Sequence, residues 1–345
     1  MQAATYETFS GPITIKDVSD PVASPNGVII EVKATGICRS DWYGWKGYDS
    51  DITLPHVPGH ELAGIVSVIG ENVKNWKQGD RVTLPFVCGC GMCDQCISGN
   101  QQVCDNQFQA GFTHWGSFAE YVAIEYANIN LVRLPDDMDY ETAASLGCRF
   151  ATSFRAIVHQ GKVAKGQWVA VYGCGGAGLS AIMIASAMGA YVVGVDISEE
   201  TLTLAKKVGS DVIINATNTD DIPEAIREVS NGGVHVSIDA LGSVETCRNS
   251  VLSLRKRGKH IQVGLLAGKA PEIPMDYIVA NELELIGCHG IQAHAYPQIF
   301  EMIENGRLRP EDLISGRVSL REGVKILENM DSYNTTGFVV INEFG

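Results

Sequence analysis

Short apolar runs, interrupted by glycine and proline, occupy the first third of this 345-residue chain. Runs of aliphatic and β-branched residues bounded by turn-forming residues predict strands rather than helices. The clearest runs cover residues 28–33, 64–69 and 81–87. The pattern therefore predicts a mostly β region at the start of the chain.

From about residue 153 onward, short apolar strands alternate with segments that carry an apolar helical face. Such alternation predicts a parallel sheet covered by helices on both faces. The predicted helices cover 179–188 and 199–208, and the predicted strands cover 168–172, 191–195, 212–214, 234–238, 260–263 and 283–286. The alternation stops after residue 287, and residues 338–341 predict one last strand. Length and the change of pattern together predict two domains.

Acidic residues outnumber basic ones by 40 to 26, which gives a net charge of −14. An acidic chain disfavours nucleic acids and anionic membranes as partners. The sequence has no run of about eighteen apolar residues, and residues 1–12 lack the basic start of a signal peptide. We therefore expect a cytoplasmic protein whose ten cysteines are metal ligands or buried thiols rather than disulfides.

Residues 88–104 contain a dense cysteine cluster, formed by Cys90, Cys93, Cys96 and Cys104, with Cys88 as an additional thiol. Four thiolates at about 2.3 Å form a closed tetrahedral zinc site, which is structural rather than catalytic. An iron–sulfur cluster is the main alternative, because it also uses four cysteines. A zinc module for nucleic acid is disfavoured by the acidic charge, and unligated thiols are disfavoured by the dense spacing.

A glycine-rich turn follows the predicted strand 168–172 and opens the next predicted helix. It fits the pattern G-x-G-x-x-G, which in this context indicates a dinucleotide-binding site. The glycines let the backbone approach a pyrophosphate, and the helix N-terminus offers free N–H groups to that anion. The alternative is a glycine-rich turn that binds nothing. The candidate residues are Gly173, Gly175, Gly176, Ala177 and Gly178.

Asp196 ends the second strand of the alternating region and is followed by Ile197 and Ser198 rather than by an arginine. A carboxylate at this position accepts hydrogen bonds from the adenosine ribose and repels a 2′-phosphate. Asp196 therefore predicts NAD rather than NADP as the cofactor.

Two further cysteines and a histidine, Cys38, Cys148 and His60, lie far apart in the chain. Spacing alone does not unite them, since a lone histidine is more often a packed or hydrogen-bonded residue than a ligand. Glu61 stands directly after His60, and for it a plain solvated acid is the alternative to a role beside a metal.

Four motifs together resemble the zinc-dependent alcohol dehydrogenases of the medium-chain dehydrogenase/reductase superfamily. They are Gly59-His60-Glu61-x-x-Gly64-x5-Gly70, the four-cysteine segment, Leu146-Gly147-Cys148 and the glycine turn. The resemblance covers essentially the whole chain in the family's order. It implies an α/β protein with a GroES-like, mostly β catalytic domain at 1–149 and 288–345. The inserted NAD-binding Rossmann domain, a doubly wound parallel sheet, would cover 150–287.

The resemblance also implies two zinc ions per chain. Cys38, His60 and Cys148 would hold the catalytic zinc and leave a fourth position for water or substrate. Glu61 would approach that metal as a possible transient ligand. Asp41 would orient His60 through its other ring nitrogen.

Several residues receive roles only through this resemblance. Ser40 would take the alcohol proton, Thr152 would pack on the nicotinamide, and Arg39 would contact the pyrophosphate. Residues Val263, Gly264 and Leu265 would lie along the nicotinamide ring. The aromatic side chains proposed for the substrate pocket, with ordinary core packing as the alternative, are Trp42, Trp45, Phe86 and Trp115.

Two positions depart from the family pattern. Tyr43 occupies the place where well-known relatives have a histidine that passes the proton to solvent, so participation of Tyr43 in a relay is in doubt. Gly337 is followed by Phe338, whereas relatives often have Gly-Arg for the pyrophosphate.

The implied function is the NAD-dependent oxidation of an alcohol to an aldehyde or ketone, and the reverse reaction. The alternatives are a polyol, amino-alcohol or formaldehyde-type dehydrogenase on the same fold, and a cofactor-binding protein without catalysis. Because short members of this family are usually tetramers, the resemblance also implies a homotetramer.

Overall fold

The computed structural model describes residues 1–266, 268–331 and 336–345. The chain divides into two compact units. Unit 1 comprises Met1–Ala151, Gly290–Met302 and Ile314–Gly345, and unit 2 comprises Thr152–His289 and Ile303–Leu313. The division thus falls two residues later than the boundaries expected from the sequence, and it places 303–313 in unit 2 rather than with the C-terminal return.

Unit 1 is built on a sheet of seven strands in the order β14-β15-β3-β4-β5-β7, with β6 paired to β3. A separate antiparallel pair joins β1 and β2. Buried aliphatic residues of β3 and β4, among them Ile30 and Leu62, contribute to one of its hydrophobic cores. The strands are β1 Gln2–Thr5, β2 Thr14–Asp17, β3 Val28–Gly36, β4 Glu61–Ile69, β5 Arg81–Thr83, β6 Tyr121–Ile124, β7 Val132–Arg133, β14 Ile314–Ser319 and β15 Phe338–Glu343.

Helices are short in the first part of the chain. They are α1 Arg39–Trp45, α2 Asp94–Ile97, α3 Ala127–Asn130 and α4 Tyr140–Ser145, followed by helical turns at Leu146–Phe150, α5 Ala151–Phe154 and a further helical segment at Arg155–Gln160. Short 3₁₀ segments lie at Gln101–Val103, Ala293–Ala295 and Pro310–Leu313. Near the C-terminus follow α11 Tyr296–Glu304 and α12 Leu320–Glu328.

Unit 2 contains a six-stranded sheet in the order β10-β9-β8-β11-β12-β13, and every pairing in it is parallel. Numbered within the unit this is 3-2-1-4-5-6, the order of a doubly wound dinucleotide-binding sheet. The strands are β8 Trp168–Tyr172, β9 Tyr191–Asp196, β10 Val212–Asn215, β11 Val234–Asp239, β12 Leu254–Gln262 and β13 Glu284–Gly287. The helices are α6 Gly176–Ala187, α7 Glu199–Lys207, α8 Ile222–Val229, α9 Val244–Leu252 and α10 Met275–Asn281. The predicted fold class is confirmed.

Most predicted strands agree with the observed bounds to within three residues at each end, and two differ by more. The run 81–87 forms a strand only over Arg81–Thr83, because Pro85 has no N–H to donate to a ladder. The run 260–263 belongs to a longer strand that begins at Leu254, although residues 255–257 are charged and exposed. Within the described residues, the structure contains no helix long and apolar enough to cross a membrane.

Candidate active site

The pairing of β3 with β4 brings together two of the predicted metal ligands. The strands are antiparallel, and Gly36 at the end of β3 lies opposite Glu61 at the start of β4. Cys38, just after β3, and His60, just before β4, therefore meet at the same edge of the sheet. Gly59 supports this approach, because it adopts a φ of +107°, a conformation that glycine tolerates and other residues rarely adopt.

Cys148 reaches the same place from a helical segment. Asp139 caps α4 by accepting a hydrogen bond from the Thr142 N–H at 2.6 Å, and the helical turns Leu146–Phe150 follow. Gly147 lies against the start of β4, where a Cβ would stand 3.0 Å from the Glu61 Cα. The absence of a side chain at this position lets Cys148 come close to His60.

The four side chains Cys38, His60, Glu61 and Cys148 form one cluster whose ligand atoms lie within 4.8 Å of one another. His60 Nδ1 bonds Asp41 Oδ1 at 2.8 Å, so the Nε2 lone pair is left for another partner. That Nε2 is buried and makes no hydrogen bond in the described part of the chain. Two thiols and one imidazole nitrogen match the donor set and the spacing of a three-ligand zinc site, in which sulfurs lie about 4 Å apart.

Asp41 holds this cluster in place with both carboxylate oxygens. Besides the His60 ring, Oδ1 accepts the Gly59 N–H at 2.9 Å, and Oδ2 accepts the Cys38 N–H at 3.0 Å. The residue is 1% exposed. Since Asp41 binds the backbone beside both Cys38 and His60, it fixes the positions of two ligands and the ring orientation of one.

The two thiols of the cluster differ in acidity. A hydrogen bond from Cys148 lowers the pKa of Cys38 well below its usual value, against the effect of burial. The same hydrogen bond, together with burial, raises the pKa of Cys148. Cys38 therefore loses its proton readily while Cys148 keeps its own, and a bound cation would favour the loss of that second proton as well.

Glu61 is fully buried, and Arg149 is its partner. The Arg149 backbone N–H and Nε both donate to Glu61 Oε1 at 3.0 Å, and Nη2 donates to Oε2. Burial raises the pKa of Glu61, and the Arg149 guanidinium opposes that shift. Arg149 was not singled out in the sequence, although it directly follows Cys148 and is the only cation between Cys148 and Thr152.

Two aromatic rings flank the His60 imidazole. The ring centroids of Phe112 and Phe86 lie 5.0 and 6.0 Å from it. Phe86 was predicted for the pocket, whereas Phe112 was not, since nothing in its local sequence marks it.

The three predicted pocket tryptophans occupy different surroundings. Trp42 and Trp45 are each 6% exposed and belong to a hydrophobic core of unit 1. Trp45 Nε1 donates to the Gly11 carbonyl at 2.7 Å. Trp115 is 39% exposed and lines a cavity of about 590 Å³ together with Leu54 and Pro55. Phe86 thus lies beside His60, and Trp42 and Trp45 share a hydrophobic cluster with Phe112. Their role in a substrate pocket stays a prediction.

Helix α1 carries the other residues with predicted roles in unit 1. Ser40 is half-buried and lies two positions after Cys38. Tyr43 is half-buried, and its ring lies 5.4 Å from Trp42 and 5.8 Å from Tyr48. Arg39 is exposed, with its guanidinium 4.4 Å above the Trp42 ring and Nη1 donating to the Met330 carbonyl at 2.7 Å.

The four cysteines of the 88–104 segment also gather into one cluster, with sulfurs within 4.8 Å of one another. Backbone N–H groups point at these sulfurs, including those of Cys90 to Cys104 Sγ at 3.2 Å and Asn106 to Cys104 Sγ at 3.3 Å. Chiefly through the Met92 N–H, backbone donors lower the pKa of Cys90 to about 6. The chemistry of this donor set fits a closed four-thiolate metal site.

In unit 2 the glycine turn connects β8 to α6. Gly178 is packed against the turn itself, since a Cβ there would stand 1.8 Å from the Gly173 carbonyl oxygen. Helix α6 begins after Gly175, and no side chain caps its first N–H groups. These free donors, together with the open space around Gly175, fit the binding of a phosphate group.

Asp196 stands at the end of β9 and takes part in the turn. Its carboxylate accepts backbone N–H groups of Cys174 at 2.7 Å, Ile197 at 2.8 Å and Ser198 at 3.0 Å. Asp196 is half-buried. Asp196 therefore supports the turn and remains partly exposed as a residue.

The remaining predicted cofactor residues lie at the ends of strands of unit 2. Gly264 packs against the backbone of Gly242, whose N would lie 2.3 Å from a Cβ at position 264. Val263 is half-buried, and Leu265 is 63% exposed. Thr152 is 7% exposed, and its carbonyl accepts the Cys288 thiol at 3.5 Å.

Two family models match the chain. "Alcohol dehydrogenase GroES-like domain" matches residues 24–136, and "Zinc-binding dehydrogenase" matches residues 176–305. The first range includes Cys38, His60 and the four-cysteine cluster, and the second begins within the glycine turn. The GroES-like character expected of the first domain is thereby confirmed.

Proteins of known activity show the same likeness over most of the chain. An alcohol dehydrogenase of Geobacillus stearothermophilus is 37% identical over 291 residues, which is 83% of this chain and 84% of that protein. D-arabitol-phosphate dehydrogenase of Enterococcus avium is 34% identical over 310 residues, 89% of this chain and 87% of that one. The solved structure of alcohol dehydrogenase TADH from Thermus sp. ATN1 matches with a TM-score of 0.90 at 27% identity, covering 99% of this chain and 100% of the other.

Proposed function

This chain belongs to the zinc-dependent alcohol dehydrogenases of the medium-chain dehydrogenase/reductase superfamily, and we propose from that membership which residues carry out its reaction. It catalyses the zinc-dependent oxidation of an alcohol to an aldehyde or ketone, and the reverse. One observation carries the assignment of residues. It is the convergence of Cys38, Cys148 and the unpartnered His60 Nε2 on one point in unit 1.

Cys38, His60 and Cys148 hold the catalytic zinc in this proposal. When bound, zinc supplies Lewis acidity that eases deprotonation of an alcohol, and the nicotinamide supplies the hydride acceptor. The chain's residues provide position and electrostatics. Asp41 keeps the His60 ring oriented, and Phe86 and Phe112 give the site an apolar wall that favours binding of the carbon skeleton.

Proton removal falls to Ser40, whose hydroxyl accepts the alcohol proton. Its half-buried position two residues after Cys38 supports this role. Tyr43 is not required, because its ring packs against Trp42 and Tyr48 and no carboxylate or imidazole in the described residues bonds its hydroxyl. As the Ser40 hydroxyl accepts the alcohol proton, it would release its own proton toward solvent and so remain neutral.

Incubation of the purified protein with NAD and a panel of alcohols, monitored by NADH absorbance, tests the proposed function directly. Polyols, sugar-alcohol phosphates, amino alcohols and formaldehyde with a thiol belong in the panel. The chain is 34% identical in sequence to D-arabitol-phosphate dehydrogenase, which makes a phosphorylated polyol an informative member of the panel. A protein that binds NAD and zinc but oxidises none of these compounds would instead support the non-catalytic alternative.

The cofactor is NAD in this proposal, bound by the glycine turn, with Arg39, Thr152 and residues 263–265 as further contacts. Asp196→Ala should shift the preference between the two cofactors toward NADP by at least tenfold. A hydrogen bond to a charged group contributes about 1.5–3 kcal/mol, and the repulsion of the 2′-phosphate is relieved as well.

The quantity to measure is the ratio of kcat/KM for NAD to that for NADP. Asp196 also supports the turn by accepting the Cys174 N–H, so the substitution is expected to weaken the binding of both cofactors. Only the ratio of the two kcat/KM values separates the effect at the adenosine ribose from this general loss. Glu199→Ala, at an exposed carboxylate of the same region, is the control. A wild-type protein that uses NADP as well as NAD would contradict the assignment of Asp196.

Two zinc ions per chain are expected, and they should differ in lability. The Cys90–Cys93–Cys96–Cys104 site is closed, whereas the Cys38–His60–Cys148 site has an open position that a chelator can attack. During incubation with dipicolinate, the first equivalent of zinc should leave together with the activity, and the second should leave much more slowly. A metal-binding dye measures the release of zinc, and the residual rate of alcohol oxidation measures the loss of activity. Fully active protein that contains one zinc, or iron, would refute this expectation.

For the assembly and location we propose a cytoplasmic homotetramer without nucleic-acid or membrane partners. The unpaired state of all ten cysteines supports a reducing compartment. Light scattering of the purified protein tests the assembly.

A further inference from the structure

The buried pair of Glu61 and Arg149 lies directly beside the proposed catalytic metal site. A Glu61 carboxylate oxygen lies within 4.8 Å of the ligand atoms of Cys38, His60 and Cys148. Carboxylate oxygens are themselves good zinc ligands. Glu61 is therefore placed to compete with substrate for the position that the three-ligand set leaves open.

Arg149 occupies both oxygens of that carboxylate. Oε1 accepts the backbone N–H and Nε of Arg149, each at 3.0 Å, while Oε2 accepts Nε at 3.1 Å and also Nη2. Paired N–H donors in a planar fork fix a carboxylate in direction as well as in distance. Glu61 is 0% exposed, so no solvent competes for these bonds.

The surroundings hold the pair rigidly. The Arg149 guanidinium lies 4.1 Å from the centroid of the Phe338 ring. On the other side is Gly36, where a Cβ would stand 2.2 Å from Glu61 Oε2 and 3.1 Å from Arg149 Nη2. Any residue larger than glycine at position 36 would displace the pair. The absence of a side chain at Gly36 thus makes room for the Glu61–Arg149 ion pair in the observed arrangement.

We propose that Arg149 is a positioning residue that holds Glu61 away from the open coordination position, so that the position remains accessible to substrate. The inference rests on the proposed function, because it takes Cys38, His60 and Cys148 as the metal ligands. Without the guanidinium, the Glu61 carboxylate would keep, among the bonds described above, only the one from the Arg149 backbone N–H. It would then be free to turn toward a metal held by the ligand atoms that lie within 4.8 Å of it.

The test uses the full-length protein with its open site emptied by chelation and refilled with Co²⁺, whose visible absorption reports the ligand set. Imidazole is the probe of the open position. In wild type, imidazole should change the spectrum by binding to the metal. In Arg149→Gln, Glu61 should occupy the position, so the spectrum without imidazole should differ from wild type, and the imidazole affinity should fall at least about tenfold.

The double variant Arg149→Gln/Glu61→Gln should recover the wild-type spectrum and imidazole affinity, because the competing carboxylate is gone. A purely structural role of Arg149 would lower the melting temperature of the single variant and leave the imidazole affinity of its folded fraction unchanged. That result would overturn the proposal. Loss of the imidazole response in the double variant as well would also overturn it.

Arg149→Lys provides a second test should Arg149→Gln not fold. Lysine keeps the charge but cannot donate to both oxygens in a fork, so an imidazole affinity between those of wild type and the single variant is expected. If Arg149→Lys bound imidazole as tightly as wild type, the paired donors of the guanidinium would not be needed, and the proposed role of Arg149 would be overturned in that respect. Failure of wild type to bind Co²⁺ at the chelated site would overturn the metal assignment itself, and is thereby distinguished from failure of the Arg149 role alone.

Discussion

Cys148→Ala is expected to reduce alcohol oxidation by at least about a thousandfold and to remove one equivalent of zinc. Lewis-acid stabilisation by a catalytic metal is worth several kcal/mol, and each 1.36 kcal/mol corresponds to about a tenfold change in rate. Without the Cys148 thiol, only two of the three proposed zinc ligands remain, Cys38 and His60. The change is measured by kcat/KM at saturating cofactor together with the zinc content of the purified variant.

The fold should survive this substitution. Cys148 lies in the short helical segment Leu146–Phe150, and the neighbouring backbone is held by the Arg149 N–H bond to Glu61 and by the Gly147 contact with β4. The near-UV circular dichroism spectrum should therefore match that of wild type, and the slowly exchanging zinc of the four-cysteine site should be retained. Cys247→Ala, at a buried thiol in α9 outside both cysteine clusters, is the matched control. A Cys148→Ala protein with normal activity would rule out the ligand assignment.

Ser40→Ala is expected to have the second-largest effect, a loss of about 10²–10⁴-fold in the rate of the hydride step. The reason is that Ser40 is the proposed acceptor of the alcohol proton, whereas the packing of helix α1 depends on its larger residues. Tyr43→Phe, on the same helix, should cost little, because the ring keeps its contacts with Trp42 and Tyr48 and only the hydroxyl is lost.

Tyr43→His extends the same experiment. An imidazole is a far better base near neutral pH than a phenol, so this variant should oxidise alcohol faster in that range than wild type. Single-turnover rates with a deuterated alcohol, recorded against pH, isolate the hydride step in all three variants. A collapse in Tyr43→Phe as deep as that in Ser40→Ala would show that the tyrosine is an obligatory relay.

The fold was largely accessible from the sequence, because its signals are local. Strand β8 has the bounds that its apolar run predicted, and the glycine turn identifies the sheet to which it belongs. The cysteine quartet is also local, since all four ligands lie within one short segment. The strand predicted at 81–87 failed beyond Thr83 because a proline ended the ladder, which a count of apolar residues does not register.

The candidate site was only partly accessible. Cys38, His60 and Cys148 could be joined through a family likeness but not through spacing. Strand register brings Cys38 to His60, and a helical segment brings Cys148 to them. Arg149 and Phe112 went unnoticed because their importance lies in which distant side chain they contact. The sequence also left open whether Trp42 and Trp45 line the pocket or pack in the core, and the structure places both in a hydrophobic cluster that includes Phe112.

The antiparallel register of β3 and β4 bears on how the two proposed zinc ions would be acquired. The four-thiolate site closes a loop from Cys90 to Cys104, which a short stretch of unfolded chain can form at little entropic cost. The other site closes a chain from Cys38 to Cys148 and needs the Gly36–Glu61 pairing before His60 faces the cysteine. A slip of one residue in that ladder would turn the alternating side chains to the opposite face. In the proposed two-zinc protein, the ion of the four-cysteine site is therefore expected to bind during local chain collapse. The ion of the Cys38–His60–Cys148 site is expected to bind only after the sheet has formed.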